Sequence, residues 1–236
     1  MSKDIVTDLQ KDLINQSKPT SEILPKAYLI AKKLQLEDFS SWLKLEMDGY
    51  RNIEEQNIPD YRSISGQIKA KNPFNGWIPV CIDDKKLEKT LSERKCSQSI
   101  KELEKLLEED KDKNLYTALS GEFSKLLDYP LPCGVFYGRS QFVAILNLVR
   151  NKILDWTLDL ESKGIKGKNM EFLEEEVEKA QTSSTTTVNN IYGGTNNFQV
   201  AQGNDTVYQT QNNQKSSGFL SMLWNGLKKI FTWWKK

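Results

Sequence analysis

Few residues here could carry familiar chemistry. The 236-residue chain contains no histidine. That removes Ser-His-Asp and Cys-His nucleophile systems, His-ligated zinc and a histidine pH switch. Cys81, Cys96 and Cys133 are an odd set at wide spacing with no CxxC. They read as reduced thiols of a cytosolic protein, and match neither a disulfide scaffold nor a metal spacing. No GxxxxGK[ST] loop occurs, and Gly164-Ile165-Lys166-Gly167-Lys168 reads as a helix C-cap and turn, not a phosphate cradle. The remaining candidates are carboxylates. Glu46, Asp48, Asp60, Asp155, Asp159 and Glu161 could include a pair for a divalent metal, as a nuclease would need. Against that, Asp155, Asp159 and Glu161 match no two-metal signature, and their spacing suits the surface of an amphipathic helix. Glu46, Arg62 and Arg150 read instead as buried ion-pair partners or an internal contact set. The sequence therefore assigns no catalytic residue, no metal and no cofactor, and the protein is not expected to be an enzyme.

The elements that must position these residues come from periodicity. Ile5, Leu9 and Leu13, with Val6 and Ile14 beside them, make one apolar helical stripe that Pro19 ends. Ser21 is the expected N-cap of a second helix, with Leu24, Ala27, Tyr28, Ala31 and Leu34 inward. A third runs from Glu37 to Asp48, with Phe39, Trp42, Leu43 and Met47 on one side and Gly49 as its stop. Between 50 and 82, prolines and glycines punctuate short stretches. Ile64, Gly66, Ile68 and Ala70 alternate with polar residues as a half-buried strand does. Arg62–Lys71 and Trp77–Ile82 are read as a small inserted β-hairpin. Helical patterns return at 84–94, 98–109, 114–128 and 140–163, the last stopped by Gly164. In that last helix Trp156 belongs to a core stripe, and the charges of 98–109 form a solvated face. The expected fold is mainly α with a small inserted β-hairpin.

Several short motifs carry a resemblance. Leu45-Glu46-Met47-Asp48-Gly49-Tyr50, Pro59-Asp60-Tyr61-Arg62, Gly76-Trp77-Ile78-Pro79-Val80, and Ser99-Ile100 with Leu103-Glu104 are four of them. The longest runs from Val149 to Glu161, followed by Gly164-Ile165. Over its first ~175 residues the chain resembles the AbiTii domain of bacterial abortive-infection proteins. The resemblance implies an anti-phage role in the bacterial cytoplasm, and supplies no established catalytic residues. Members commonly append an Asn/Gly-rich segment, as here.

Composition divides the chain into a globular body (1–180), a polar segment (181–214) and an apolar, basic tail (215–236). The net charge of +1 hides an asymmetry. Residues 1–179 hold 28 basic and 31 acidic side chains, whereas 180–236 hold five lysines and one aspartate. A near-neutral chain of this kind is not expected to bind nucleic acid. Met1-Ser2-Lys3-Asp4 opens without an apolar h-region, and no run of 18 apolar residues occurs. Neither a signal peptide nor an ordinary transmembrane helix is expected.

The polar segment has 13 Asn or Gln and one charge, Asp205. It reads either as an uncharged linker or as a β-assembly element. In the second case Val188, Ile191, Phe198, Val200 and Val207 would stack against identical copies, with Asn and Gln forming hydrogen-bonded ladders, in a trimer or a larger open assembly. The tail, placed on a helical wheel, splits without exception. Ser221, Asn225, Lys228, Lys229, Thr232, Lys235 and Lys236 share an arc of about 120°, and apolar residues with Gly226 fill the rest. Phe219, Leu220, Leu223, Trp224, Leu227, Ile230, Phe231, Trp233 and Trp234 are the expected membrane-binding side chains, with Lys228, Lys229, Lys235 and Lys236 toward anionic head groups. Docking on protein, or an oligomeric helix bundle, are the other uses of such a face. The combined expectation is a defence effector, cytoplasmic and peripheral to the inner membrane. It would self-associate, engage or permeabilise an anionic membrane, and answer to a phage or host protein. The rivals are a regulatory binding module merely anchored by its tail, and a metal-dependent nuclease.

Overall fold

A computed structural model describes residues 4–109, 115–124 and 131–182. Helix α1 (Ile5–Ile14) opens at Asp4, whose carboxylate accepts the Val6 and Thr7 amides at 3.1 and 3.2 Å. That satisfies donors a helix start leaves free. Helix α2 (Thr20–Lys33) starts one residue before the expected Ser21 cap. Pro19 takes the N-cap position, and the Ser21 amide is held by Glu104 Oε1 at 3.2 Å. Helix α3 (Glu37–Asp48) stops where expected, at Gly49. The φ of Gly49 is +88°, and a Cβ there would lie 3.0 Å from the Ser97 carbonyl. Only glycine fits both the backbone angle and the close approach.

The chain then forms β1 (Ser63–Asn72) and β2 (Gly76–Pro79), followed by α4 (Lys85–Ser92), β3 (Glu93–Lys95) and α5 (Ile100–Glu109). Next come β4 (Leu115–Ala118), α6 (Gly121–Ser124), β5 (Cys133–Tyr137), α7 (Arg139–Ser162) and α8 (Glu174–Thr182). The architecture is mainly helical with a small antiparallel sheet, as the periodicity implied. The hairpin is present but is only part of that sheet. Strand order is β2-β1-β5-β4, with β3 also paired to β1. The expected helix over 114–128 is corrected: Leu115–Ala118 is a strand, paired to β5 from Leu115–Tyr137 to Ala118–Gly134. Leu115, Leu119 and Phe123 lie four apart and imitate a helical stripe. The ladder with β5 wins because it satisfies backbone groups that local periodicity does not address.

One core joins helices and sheet. Leu9, Ile23, Ile30, Trp42, Leu43, Ile100, Leu103, Val149 and Ile153 are buried in it, with Ile64, Ile68, Ala70 and Val135 from the inner face of the sheet. Each fully buried aliphatic side chain contributes ~1.5–3 kcal/mol. Trp156 is 3% exposed and packs 4.3 Å from the Phe39 ring, so it is a core residue. At the end of α7, the Gly164 amide donates to Glu161 O and the Ile165 amide to Leu160 O, at 2.9 and 3.0 Å. This pair of bonds closes the helix as the sequence suggested. No helix among the described residues is long and apolar enough to cross a membrane.

Candidate functional site

Two of the motifs singled out in the sequence, Leu45–Tyr50 and Pro59–Arg62, meet in one buried cluster. The last turn of α3 presents Glu46, and the chain after Gly49 presents Tyr50. A single turn at Asp60–Arg62 delivers Tyr61 and Arg62. Glu46 and Arg62 form an ion pair with both side chains fully buried. Arg62 Nε donates to Glu46 Oε1 at 3.1 Å and Nη2 to Oε2. The Tyr50 and Tyr61 hydroxyls donate to the same Oε1 at 2.6 and 2.5 Å. Trp42 Nε1 donates to Tyr61 Oη at 2.8 Å. Arg62 Nη1 reaches the carbonyls of Cys96 and Gln98 at 3.0 and 2.8 Å, on the turn that leads into α5. The guanidinium also lies 4.6 Å from the centroid of the Tyr50 ring.

Electrostatics keep these groups in fixed states. Burial, then the Glu46 carboxylate, push the Tyr50 and Tyr61 hydroxyls far above the ordinary tyrosine range, so both remain donors. Burial alone would lower Arg62, but Glu46 outweighs it and the guanidinium stays charged. Burial raises the Cys96 thiol, which donates to Gln98 Oε1 at 3.1 Å. Lys152 lies 5.5 Å over the Tyr61 ring, its pKa lowered by burial. No buried side-chain nitrogen or oxygen among the described residues lacks a partner. Glu46 thus spends both oxygens internally and has no exposed surface. The arrangement ties α3, the turn before β1 and the start of α5 together, and offers no open acid or base to a substrate.

The other sequence candidates lie elsewhere. Arg150, on α7, donates to the carbonyls of Leu13, Lys18 and Asn15 at 2.6, 2.8 and 2.6 Å, and to Asp12 O at 3.1 Å. It closes the carbonyl end of α1, an internal contact as expected. Asp48 pairs with Lys44 at 3.0 Å, and Asp60 with Lys95 at 2.6 Å. Asp159 pairs with Lys163, and Glu161 accepts from Gln10 at 3.0 Å. Asp155 is exposed on α7. Among the described residues no three His, Cys, Asp or Glu side chains are grouped to hold a metal ion. The nuclease alternative gains no geometric support here. The assembly residues Val188, Ile191, Phe198, Val200 and Val207, and every tail residue from Phe219 to Lys236, lie outside the described residues.

Sequence reasoning did not bring Tyr50, Tyr61 and Trp42 to Glu46, though a signal existed. Trp42, Glu46 and Tyr50 are four apart, the spacing that stacks side chains on one helical face. The buried Glu46–Arg62 ion pair is as the sequence suggested, whereas the turn at 59–62 that folds Arg62 back to Glu46 had no signal in the helical spacing.

No curated protein and no solved structure matches the chain. The family model AbiTii matches residues 4–185, well over half of the 236 residues and all of the folded body described above. The buried cluster, the Arg150 contact and the closing turn at Gly164 are built by the motifs that carried the resemblance, and the chain belongs to the AbiTii family.

Proposed function

We infer that membership of the AbiTii family gives the chain a role in abortive-infection defence. We propose that the chain is an effector of that defence which acts by assembly at a membrane and not by catalysis. Residues 1–180 serve as the body that receives the trigger, a phage or host protein. Residues 181–214 join copies through Val188, Ile191, Phe198, Val200 and Val207. The tail then engages, or permeabilises, the anionic inner membrane through its Trp- and Phe-rich arc, with Lys228, Lys229, Lys235 and Lys236 at the head groups. Assembly matters because one such helix is a weak membrane binder, and several on one particle bind multivalently.

The observation that carries this reading is the division of the tail. Three of the six tryptophans fall in the last thirteen residues, on the apolar arc of the helical wheel. An apolar arc of that size exceeds what a soluble surface ordinarily exposes. Leakage of dye from phosphatidylglycerol-containing vesicles tests it. The wild type releases dye, and Trp233→Glu reduces release about tenfold, the cost of placing one charge in an apolar interface. If both are equally inert after oligomerisation, permeabilisation is wrong. Defence that survives deletion of 215–236 in cells would instead select the regulatory binding module.

A further inference from the structure

The sheet has a second face. Register places Lys69 and Lys71 of β1, Trp77 of β2, Tyr116 of β4 and Phe136 of β5 on the side away from the core. Among the described residues that side is open: Ser65, Gln67, Lys71, Tyr116 and Ala118 are exposed. Three rings join across it. Tyr116 stacks on Phe136 at 5.0 Å and 13°, and Trp77 meets Phe136 edge-on at 4.8 Å. Gly134 makes the join possible, since a Cβ there would lie 3.0 Å from the Tyr116 ring. The β1–β2 turn carries a fourth ring, Phe74, which is 93% exposed. It is held there: Asn72 Oδ1 accepts the Phe74 and Asn75 amides at 2.9 and 3.1 Å, which locks the turn. From Ser63 to Ile82 the chain has two lysines and no aspartate or glutamate, in a protein that is 28% charged.

We propose that this hairpin and sheet face form a second lipid-contacting surface, in which Phe74 enters the interface of an anionic bilayer. Trp77 and Tyr116 rest at head-group depth, and Lys69 and Lys71 meet the lipid phosphates. The proposal takes its target, an anionic membrane, from the reading above and uses none of the tail residues. The pattern of rings and charges selects lipid as the occupant. A bilayer suits an apolar tip flanked by aromatic rings and cations. Residues 1–179 carry more acidic than basic side chains, whereas the hairpin has two lysines and no acid, so its charge is complementary to an anionic surface.

Amide hydrogen exchange on the full-length chain tests this with phosphatidylcholine vesicles, the same vesicles containing phosphatidylglycerol, and poly(dT). Exchange over residues 70–79 is expected to slow with the anionic vesicles only. Phe74→Ser, at an exposed site that leaves melting unchanged, is expected to weaken vesicle affinity about tenfold, while Phe74→Leu keeps it. Unchanged exchange at the hairpin with vesicles bound overturns the proposal and leaves the tail reading standing. Slowing at the hairpin, with none over 219–236, supports it and removes the tail reading. Slowing with poly(dT) alone, or with protein concentration alone, assigns the face to nucleic acid or to a second copy and also overturns it.

Discussion

Glu46 and Arg62 each occupy a site that water does not reach, and each is the other's charge partner there. The pair is worth less than its geometry suggests, because two charges had to be desolvated to form it. Removing one partner is a different matter, since the survivor stays buried with its charge unmet. Glu46→Ala is therefore expected to cost about 3–5 kcal/mol in urea unfolding. Glu46→Ala with Arg62→Met should recover much of that loss, because the second change removes the stranded cation. A single-variant cost below ~1 kcal/mol would mean that the tyrosines and the Cys96 and Gln98 carbonyls hold the region without the ion pair.

Helix α8 shows how one residue secures an element. Its first turn is acidic, which favours a helix start. Glu176 reaches back to the Leu173 amide at 2.9 Å and across to the Lys166 and Gly167 amides at 2.7 and 3.3 Å. Burial alone would raise its pKa, but these three donors outweigh burial and hold the carboxyl below the ordinary glutamate value of 4.5. With the folded-state pKa depressed, the contribution to stability is full above 4.5 and is lost as pH falls through the folded value. Glu176→Gln should loosen α8 by about 1.5–3 kcal/mol at neutral pH, read as faster amide exchange over 174–182. The wild type should show the same loosening on acidification, and the variant should show little further change. Equal exchange in both proteins at neutral pH would place the hold on α8 in the packing of Ala180 and Val177.

At the scale of the whole molecule, the described core draws on side chains from Ile5 to Ala180. A chain ending at Thr182 is expected to melt within about 3 °C of the full-length protein, a difference of ~1 kcal/mol or less. A larger drop would show that the polar segment or the tail supports the body. The charge partition makes the same division. The body carries the acidic excess, and the tail combines its lysines with three tryptophans.

Periodicity was enough for α1, α3, α5 and α7, because an amphipathic helix writes its buried face into residues three and four apart. Glycine at 49 and 164 marked two ends, and the motif residues were visible as residues. The two-sided pattern of the tail is an expectation read from sequence alone, and lies outside the described residues. What needed the tertiary structure was every pairing between distant segments. Leu115–Ala118 is a strand because β5 offers it a ladder. Glu46 is inert because a turn sixteen residues later returns Arg62 to it. Trp77, Tyr116 and Phe136 make one surface only because three strands bring them side by side. Local spacing records which face of an element is apolar; which partner that face meets is fixed by contacts across the chain, and no window of sequence contains both ends of them.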